Sequence, residues 1–249
     1  MTRIVFNFMG KTALITGASG GIGREVARVF HNAGASLVLM DLHEGPLLEL
    51  TADLGDAHRV VVAAGDASNP AGIAAALELA RTQFGGLDFV IPVAGIYPES
   101  PVIDTTDDEW RRVMSVNLDG VFQLLRAAIP VVRQGGAVVN FASVAGHRGS
   151  KNHGHYAASK AGVIALTRSL AHEVGPKVRV NAISPGTIET PMVTDLVKAR
   201  GAEMLAETPL GRHGKPEEVA AVAAFLCSDA ASFITGETIH VNGGLFMAG

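Results

Sequence analysis

The sequence predicts a single α/β domain, a doubly wound, seven-stranded parallel sheet with helices on both faces. Three observations carry this expectation. Short apolar runs rich in Val and Ile recur seven times along the chain. Longer segments with helical spacing separate them. Glycine makes up 29 of 249 residues, against roughly 7% in ordinary proteins, and many of these glycines fall where an apolar run ends.

The strand candidates are Thr12–Thr16, Ser36–Met40, Arg59–Ala64, Leu87–Val93, Ala137–Phe141, Val178–Ile183 and Thr238–Val241. Most are apolar throughout rather than alternating, as strands covered on both faces are. Ile22, Val26, Val29, Phe30 and Ala33 recur at helical spacing, with Gly34 as the stop. Ala71–Phe84, Asp107–Val132, Tyr156–Glu173 and Pro216–Ser228 are the further helices. Pro216 with Glu217 and Glu218 makes a helix start, since Pro suits the first turn and acids suit the dipole. Strand–helix–strand repetition implies right-handed crossovers and an open parallel sheet. No Ser/Pro-rich linker or shift in composition interrupts the chain, so one domain is expected over 1–249. Residues 1–10 read as an arm. Thr187–Gly214 has no clear strand and is long for a connection, which marks it as a segment covering the substrate.

Composition excludes several classes. The chain is 48% apolar with a net charge of −4, which rules out disorder and gives no footprint for nucleic acid. Cys227 is the only cysteine, so an internal disulfide or paired-cysteine metal site is excluded. No run of 18 apolar residues suggests a membrane span, and Met1–Asn7 does not read as a signal peptide. A cytoplasmic protein is expected. His147, His153 and His155 cluster in sequence, but no nearby acid or cysteine completes a metal site, and none is expected.

The chemistry begins at Thr16-Gly17-Ala18-Ser19-Gly20-Gly21-Ile22-Gly23, between the first strand and its helix. Glycines there let a phosphate approach backbone N–H groups at a helix N-terminus. A tight turn without a ligand is the other reading. Asp41 follows the second strand, where a dinucleotide site places an acid on the adenosine ribose hydroxyls. Such an acid repels a 2′-phosphate and favours NAD over NADP. Arg24 is the one nearby base that could argue for NADP, and a solvated helix position is its alternative.

Tyr156 and Lys160 are four apart, on one helix face. A free Tyr titrates near ~10. A neighbouring ammonium and an oxidised nicotinamide both favour phenolate and are expected to lower that value. Tyr156 could then exchange a proton with an alcohol oxygen while hydride moves. A surface helix pair is the alternative. Ser143 follows the Ala137–Phe141 strand, placed to hold the substrate oxygen. Tyr97 and His153, with Met192 and Leu196 of the covering segment, are the candidate substrate-pocket residues. Trp110 is expected in the core or at a subunit interface.

The glycine motif, Asn117 in Ser115-Val116-Asn117-Leu118, Ser143 and Tyr156-x-x-x-Lys160 occur in order and at the right spacing. The chain thereby resembles the short-chain dehydrogenase/reductase family from Gly10 to Gly244, including its 3-oxoacyl-[acyl-carrier-protein] reductase-like and NAD-dependent alcohol dehydrogenase members. The resemblance implies a Rossmann fold and a catalytic set. Tyr156 would be the general acid/base. Lys160 would lower its pKa and bind the nicotinamide ribose. Ser143 would anchor the substrate oxygen, and Asn117 would hold a helix irregularity and a relay water. It implies cofactor contacts from Gly17, Ser19, Gly20, Ile22, Asp41, Asp66, Ala67, Gly95, Tyr156, Lys160, Pro185, Gly186, Ile188 and Thr190. It also suggests a homotetramer built on the Asp107–Val132 and Tyr156–Glu173 helices and the last strand.

Val93 stands where the family carries an Asn that bonds backbone across the sheet, so a loss of some stability or cofactor affinity is expected there. The implied activity is NAD-dependent interconversion of a secondary alcohol and a ketone. The alternatives are an NADP-dependent 3-oxoacyl-[acyl-carrier-protein] reductase-type enzyme and a non-catalytic dinucleotide-binding regulatory protein. Asp41 fits a catabolic alcohol, polyol or aromatic-alcohol dehydrogenase better. The apolar residues Met192, Val193, Leu196, Val197, Met204 and Leu205 suggest a non-sugar substrate.

Overall fold

Seven parallel strands form one sheet in the order β3-β2-β1-β4-β5-β6-β7. The structure, a computed structural model, describes residues 6–248, and within them the side chains of all but Ala57, Asp195, Leu196, Ala199, Arg200 and Ala202. The strands are β1 (Thr12–Thr16), β2 (Ser36–Asp41), β3 (Val60–Ala64), β4 (Leu87–Pro92), β5 (Val132–Phe141), β6 (Val178–Pro185) and β7 (Thr238–Val241). The helices are α1 (Gly21–Asn32), α2 (Glu44–Leu54), α3 (Pro70–Phe84), α4 (Asp107–Met114), α5 (Gly120–Ala128), α6 (Ala145–Arg148), α7 (Gly154–Val174), α8 (Thr194–Ala206) and α9 (Pro216–Cys227).

Strands β1, β2 and β4 bury nearly every side chain because helices cover both faces. One apolar layer joins Val26 and Phe30 of α1 and Val219 and Ala223 of α9 to Ile15, Leu39 and Val139 of the sheet. The other joins Ile73 of α3, Leu124 of α5 and Val163 of α7 to Leu14, Val38 and Val138. Alternate residues of each strand thus serve opposite layers. Local chemistry fixes the helix starts. Asn69 accepts from Ala71 N–H at 2.9 Å ahead of Pro70, and Thr106 and Glu109 form a reciprocal capping box on α4.

Several expectations change here. The Asp107–Val132 helix is broken: α4 gives way to a π turn over Ser115–Asp119 before α5, and a 3-10 turn over Ile129–Val131 follows. Strand β5 starts at Val132, ahead of the expected Ala137. The covering segment has no strand, as its sequence suggests, and carries α8 at its centre. Of the expected arm, residues 1–5 lie outside the described residues, and Phe8 is no arm residue. Its ring is buried against Phe30 and Phe89, with centroids 4.9 and 5.0 Å away. Trp110 is 43% exposed rather than in the core.

Asp88 ties three strands together from the sheet's amino end. Its carboxylate, 2% exposed, accepts from Thr12 N–H at 2.9 Å, Lys11 Nζ at 3.2 Å and Arg133 Nη1 at 2.6 Å. The strand order reverses between β1 and β4, which opens a crevice at their carboxyl ends, the usual ligand position in such sheets.

Candidate active site

The glycine turn leaves β1 and enters α1 at this crevice. Gly17 has φ +64°, and a Cβ there would stand 2.7 Å from Ala94 Cα. A Cβ on Gly23 would run into Gly17 O. The turn therefore requires glycine at both positions, because its backbone packs directly on the β4 loop and on itself. Asp41 ends β2 beside this turn. Its Oδ2 accepts from Ser19 N–H at 3.0 Å and from Ser19 Oγ at 2.6 Å, and its Oδ1 accepts from Leu42 N–H at 2.8 Å. Arg24 turns away from Asp41, with Nη1 3.3 Å from Asp53 Oδ2.

A cleft of about 840 Å³ runs from this corner across the crevice. Its size lies within the usual range of cofactor sites. Ser19, Gly20, Ile22 and Asp41 line one end, with Asp66 and Ala67 beside them at the end of β3. Gly95 lies in the middle, after β4. Pro185 at the end of β6 and Gly186, Ile188 and Thr190 after it close the far side, where Tyr156 and Lys160 also reach it. Every cofactor position expected from sequence, Gly17 included, lines this one cleft. Asp66 has its own local bonds, accepting from Ser68 N–H at 2.8 Å and Ser68 Oγ at 2.7 Å.

The Val93 position is compensated by Thr16. Its carbonyl accepts from Val93 N–H at 3.2 Å, and its Oγ1 lies 3.4 Å from Ala94 N–H. The Val93 side chain packs on the core instead. The β1–β4 link survives without an asparagine.

Asn117 occupies the π turn and is fully buried. Its Oδ1 accepts from Ile96 N–H at 2.8 Å, and its Nδ2 donates to Ile96 O at 2.9 Å. The side chain thus pairs with a backbone segment as a neighbouring strand would, and pins the β4 loop to the helix. The extra residue of the π turn aims it there. Nδ2 also lies 3.4 Å from Ser159 Oγ on α7.

Tyr156 and Lys160 project from α7 toward the carboxyl end of β5, where Ser143 sits. Lys160 is 5% exposed, donates to Phe141 O at 2.8 Å, and stands 5.7 Å from the Tyr156 ring centroid. Burial pushes its ammonium down to about 8. Burial pushes the Tyr156 phenol up to about 12; the Ser143 hydroxyl beside it pulls down and Tyr97 pushes up. The chain's own groups therefore do not lower the Tyr156 value as expected from sequence. Desolvation of the phenolate outweighs a lysine whose charge is itself disfavoured by burial.

A second cavity of about 390 Å³ opens beside Ser143 and Tyr156. Tyr97, Met192, Met204 and Leu245 line it, and the Arg148–Glu207 ion pair, 3.2 Å apart, stands on its rim with Lys151. The structure places Tyr97 and Met192 on this wall. His153, 3% exposed, lies behind Tyr97 rather than on the cavity surface, and the side chain of Leu196 lies outside the described residues. Sequence reasoning names Met204 among the apolar residues of the covering segment, but it does not assign Arg148 and Leu245 to the pocket. Arg148 has a signal there, five residues past Ser143 at the end of α6, whereas Leu245 arrives only through the fold. No group of three or more His, Cys, Asp or Glu suited to a metal occurs among the described residues.

Comparison with known proteins decides the family. The family model described as enoyl-(acyl carrier protein) reductase matches residues 17–246. The chain belongs to the short-chain dehydrogenase/reductase family. Within this family it is 38% identical over 244 residues to the 3-oxoacyl-[acyl-carrier-protein] reductase of Salmonella typhimurium, covering 97% of this chain and 99% of that protein. It is 39% identical to nodulation protein G of a Rhizobium strain, covering 98% and 100%. A crystal structure from Brucella melitensis, titled short-chain dehydrogenase/reductase SDR: glucose/ribitol dehydrogenase, superposes with a TM-score of 0.97 at 47% identity, covering 98% and 100%. As a short-chain dehydrogenase/reductase, the chain is an NAD(P)-dependent oxidoreductase acting on CH–OH groups.

Proposed function

We propose that the chain interconverts a secondary alcohol and a ketone with NAD, using Tyr156 as general acid/base. One observation carries the reading: Ser143 and Tyr156 face both the dinucleotide-sized cleft and the smaller cavity, with Lys160 behind them and Asp41 at the cleft's far end. The cleft suits a dinucleotide in size, and its glycine turn enters α1 at a helix N-terminus, where a pyrophosphate anion is favoured. Ser19, Gly20 and Ile22 would hold the pyrophosphate and Asp41 the adenosine ribose. Lys160 would take the nicotinamide ribose, and Ile188 and Thr190 the carboxamide. When bound, a nicotinamide dinucleotide supplies hydride exchange with the substrate carbon.

The chain's own residues handle the proton. Ser143 Oγ holds the substrate oxygen against Tyr156 Oη. In oxidation Tyr156 takes the hydroxyl proton as the carbon gives up hydride, and in reduction it returns it. The Lys160 ammonium favours the phenolate that burial disfavours, and the positive charge of a bound oxidised nicotinamide would act in the same direction. Asn117 keeps Gly95 and Ile96 against α4 and α7, leaving the cleft floor fixed.

Asp41 supports NAD, since its carboxylate stands where a 2′-phosphate would be repelled. A second reading, NADP-dependent reduction of a 3-oxoacyl thioester, is favoured by the names of the 38%-identical relatives. Mixing the purified chain with NAD or NADP and a panel of alcohols, and with NADH or NADPH and a 3-oxoacyl thioester, separates the two by absorbance of the reduced cofactor. Cofactor binding without turnover of any alcohol, ketone or thioester overturns both and leaves a regulatory binding protein.

The same reading includes a cytoplasmic homotetramer built on α4, α5, α7 and β7. Trp110 and Phe122, 43% and 45% exposed on α4 and α5, are apolar surface that such an assembly would cover. A monomer on sizing at micromolar concentration would contradict it.

A further inference from the structure

Three rings from separate parts of the chain meet beside the substrate cavity. His147 lies on α6, His240 on the edge strand β7, and Phe246 in the tail that follows β7. The Phe246 ring lies along the His147 imidazole, with centroids 4.9 Å apart and planes 22° from parallel. The His240 imidazole meets both, 4.7 Å from His147 and 5.2 Å from Phe246. The tail itself is held along its length. Asn242 Nδ2 donates to Phe246 O at 2.9 Å, and Asn242 Oδ1 accepts from Gly244 N–H at 2.9 Å. Leu210 N–H donates to Gly243 O at 3.1 Å. A Cβ on Gly244 would stand 2.7 Å from Pro209 Cγ, so the tail runs tight against the end of the covering segment. Leu245, 9% exposed, borders the substrate cavity, as do Ala145 and Arg148 of α6. The ring cluster therefore joins two walls of that cavity, one from α6 and one from the tail.

The cluster suits neutral imidazoles only. Nε2 of His147 and Nδ1 of His240 are buried with no hydrogen-bond partner among the described residues. Burial opposes a charge on either ring, and His240 and Arg168 of α7 oppose one on His147 as well, so both groups titrate below their ordinary 6.5. No carboxylate offsets a charge on either ring among the described residues. A proton on either imidazole thus puts a cation where neither water nor a partner receives it. With the tail released, the rings are hydrated and take the proton at the ordinary value. We infer that the tail from Asn242 to Phe246 is a strap that seats Leu245 in the substrate cavity wall, with Phe246 and His147 as positioning residues, and that acid releases it. The sign follows from linkage: the released form binds protons that the seated form refuses, so release gains as pH falls through about 6.5.

Hydrogen exchange on the full-length protein, corrected for intrinsic rates, reads the strap at about pH 7.5 and about pH 5.5 whatever the substrate. In acid, protection of the peptide from Asn242 onward should fall by about tenfold, the effect of one proton taken up one unit below its ordinary value, while β1 and β4 keep theirs. His147→Phe with His240→Phe keeps ring packing and removes both titrations, so its tail protection should not change with pH. Asn242→Asp keeps the acceptor for Gly244 but cannot donate to Phe246 O, and should loosen the tail at both values. Phe246→Ala should do the same and raise KM for the alcohol or ketone turned over best, with dinucleotide affinity changed less than about threefold, and Phe246→Tyr should restore that KM. Wild-type tail protection that ignores pH overturns the inference, as does a pH response kept by the double variant with dinucleotide binding intact. Should the double variant not bind dinucleotide, His147→Phe alone decides, and a fall in acid as large as the wild type's overturns the inference. An unchanged KM in Phe246→Ala overturns the seating of Leu245. A chain that turns over no alcohol or ketone fails the alcohol–ketone reading and leaves exchange to decide the strap.

Discussion

The carboxylate of Asp41 holds Ser19 twice, through its N–H at 3.0 Å and its hydroxyl at 2.6 Å. The end of β2 is thereby fastened to the glycine turn, and the residue that sets cofactor charge preference also shapes the pyrophosphate corner. Asp41→Ala should lower kcat/KM with NAD about tenfold to a hundredfold, the range for lost hydrogen bonds to a charged group. It should raise the NADP/NAD ratio. Ser19→Ala removes only the hydroxyl tie and should weaken both cofactors alike. Steady-state kinetics with each cofactor reads both effects; a ratio unmoved in Asp41→Ala would refute the NAD assignment.

Tyr156→Phe removes one oxygen and leaves the ring that Tyr97 packs against. Turnover should fall by about 10²–10⁴, the usual contribution of a positioned acid/base. Dinucleotide affinity, followed by fluorescence titration, should change less than about threefold, since the other cleft residues are untouched. Wild-type activity in this variant would rule Tyr156 out as the proton-transfer group.

The two buried groups on α7 give stability a pH signature. Lys160 is pushed down from 10.5 to about 8, so between those values the unfolded chain binds a proton that the folded chain has shed. Stability should therefore rise as pH goes from about 8 toward 10.5. Tyr156 is pushed up from 10.0 to about 12, so over that window the folded chain keeps a proton the unfolded chain loses, and stability should fall. Urea midpoints at pH steps across this range should show a rise and then a decline. Lys160→Met should flatten the rise, and Tyr156→Phe should soften the decline.

The sheet and the cleft are legible in the sequence because buried parallel strands are apolar throughout and a dinucleotide turn needs glycine where backbones touch. Gly17 and Gly23 carry that signal directly. Helices α2 and α8 carry little: only Leu47 and Leu50 of α2 are buried, and both helices contain glycine. The π turn is hidden from periodicity because Ser115–Asp119 contains no Gly or Pro, and only the family resemblance marks an irregularity at Asn117; its geometry is set by Asn117 reaching Ile96. Phe8 reads as part of an arm since its partners Phe30 and Phe89 lie far along the chain. The direction of the Tyr156 shift depends on burial, which residue spacing does not reveal.

Arg133 reaches from β5 to Asp88 Oδ2 at 2.6 Å and to Phe84 O at 3.0 Å. Arg133→Met would strip a buried carboxylate of its shortest partner while leaving Lys11 and Thr12 N–H in place. A loss of about 1.5–3 kcal/mol is expected, the range for hydrogen bonds to a charged group. Urea unfolding measures it, and kcat should stay within about twofold because the knot lies at the opposite end of the sheet from Tyr156. A neutral effect on stability would mean that Lys11 and Thr12 N–H together satisfy Asp88.

Gly21 and Thr190 join the glycine turn to the covering segment. A Cβ on Gly21 would stand 2.7 Å from Thr190 Cγ2 and 2.9 Å from Thr190 Cβ. Threonine is stiff about its first side-chain torsion, so the added methyl must displace the chain at Thr190 rather than swing a side chain aside. Gly21→Ala should therefore raise KM for both dinucleotide and alcohol, because Thr190 borders the cleft and Met192, two residues on, borders the substrate cavity. Thr190→Ser deletes the nearer of the two colliding carbons and keeps the hydroxyl. Alone it should change KM little. Combined with Gly21→Ala it should recover a large part of the loss, with a coupling of about 0.5–3 kcal/mol in the double-mutant cycle. Additive effects would show that the two sites report separately and that the segment is held to the turn by other contacts.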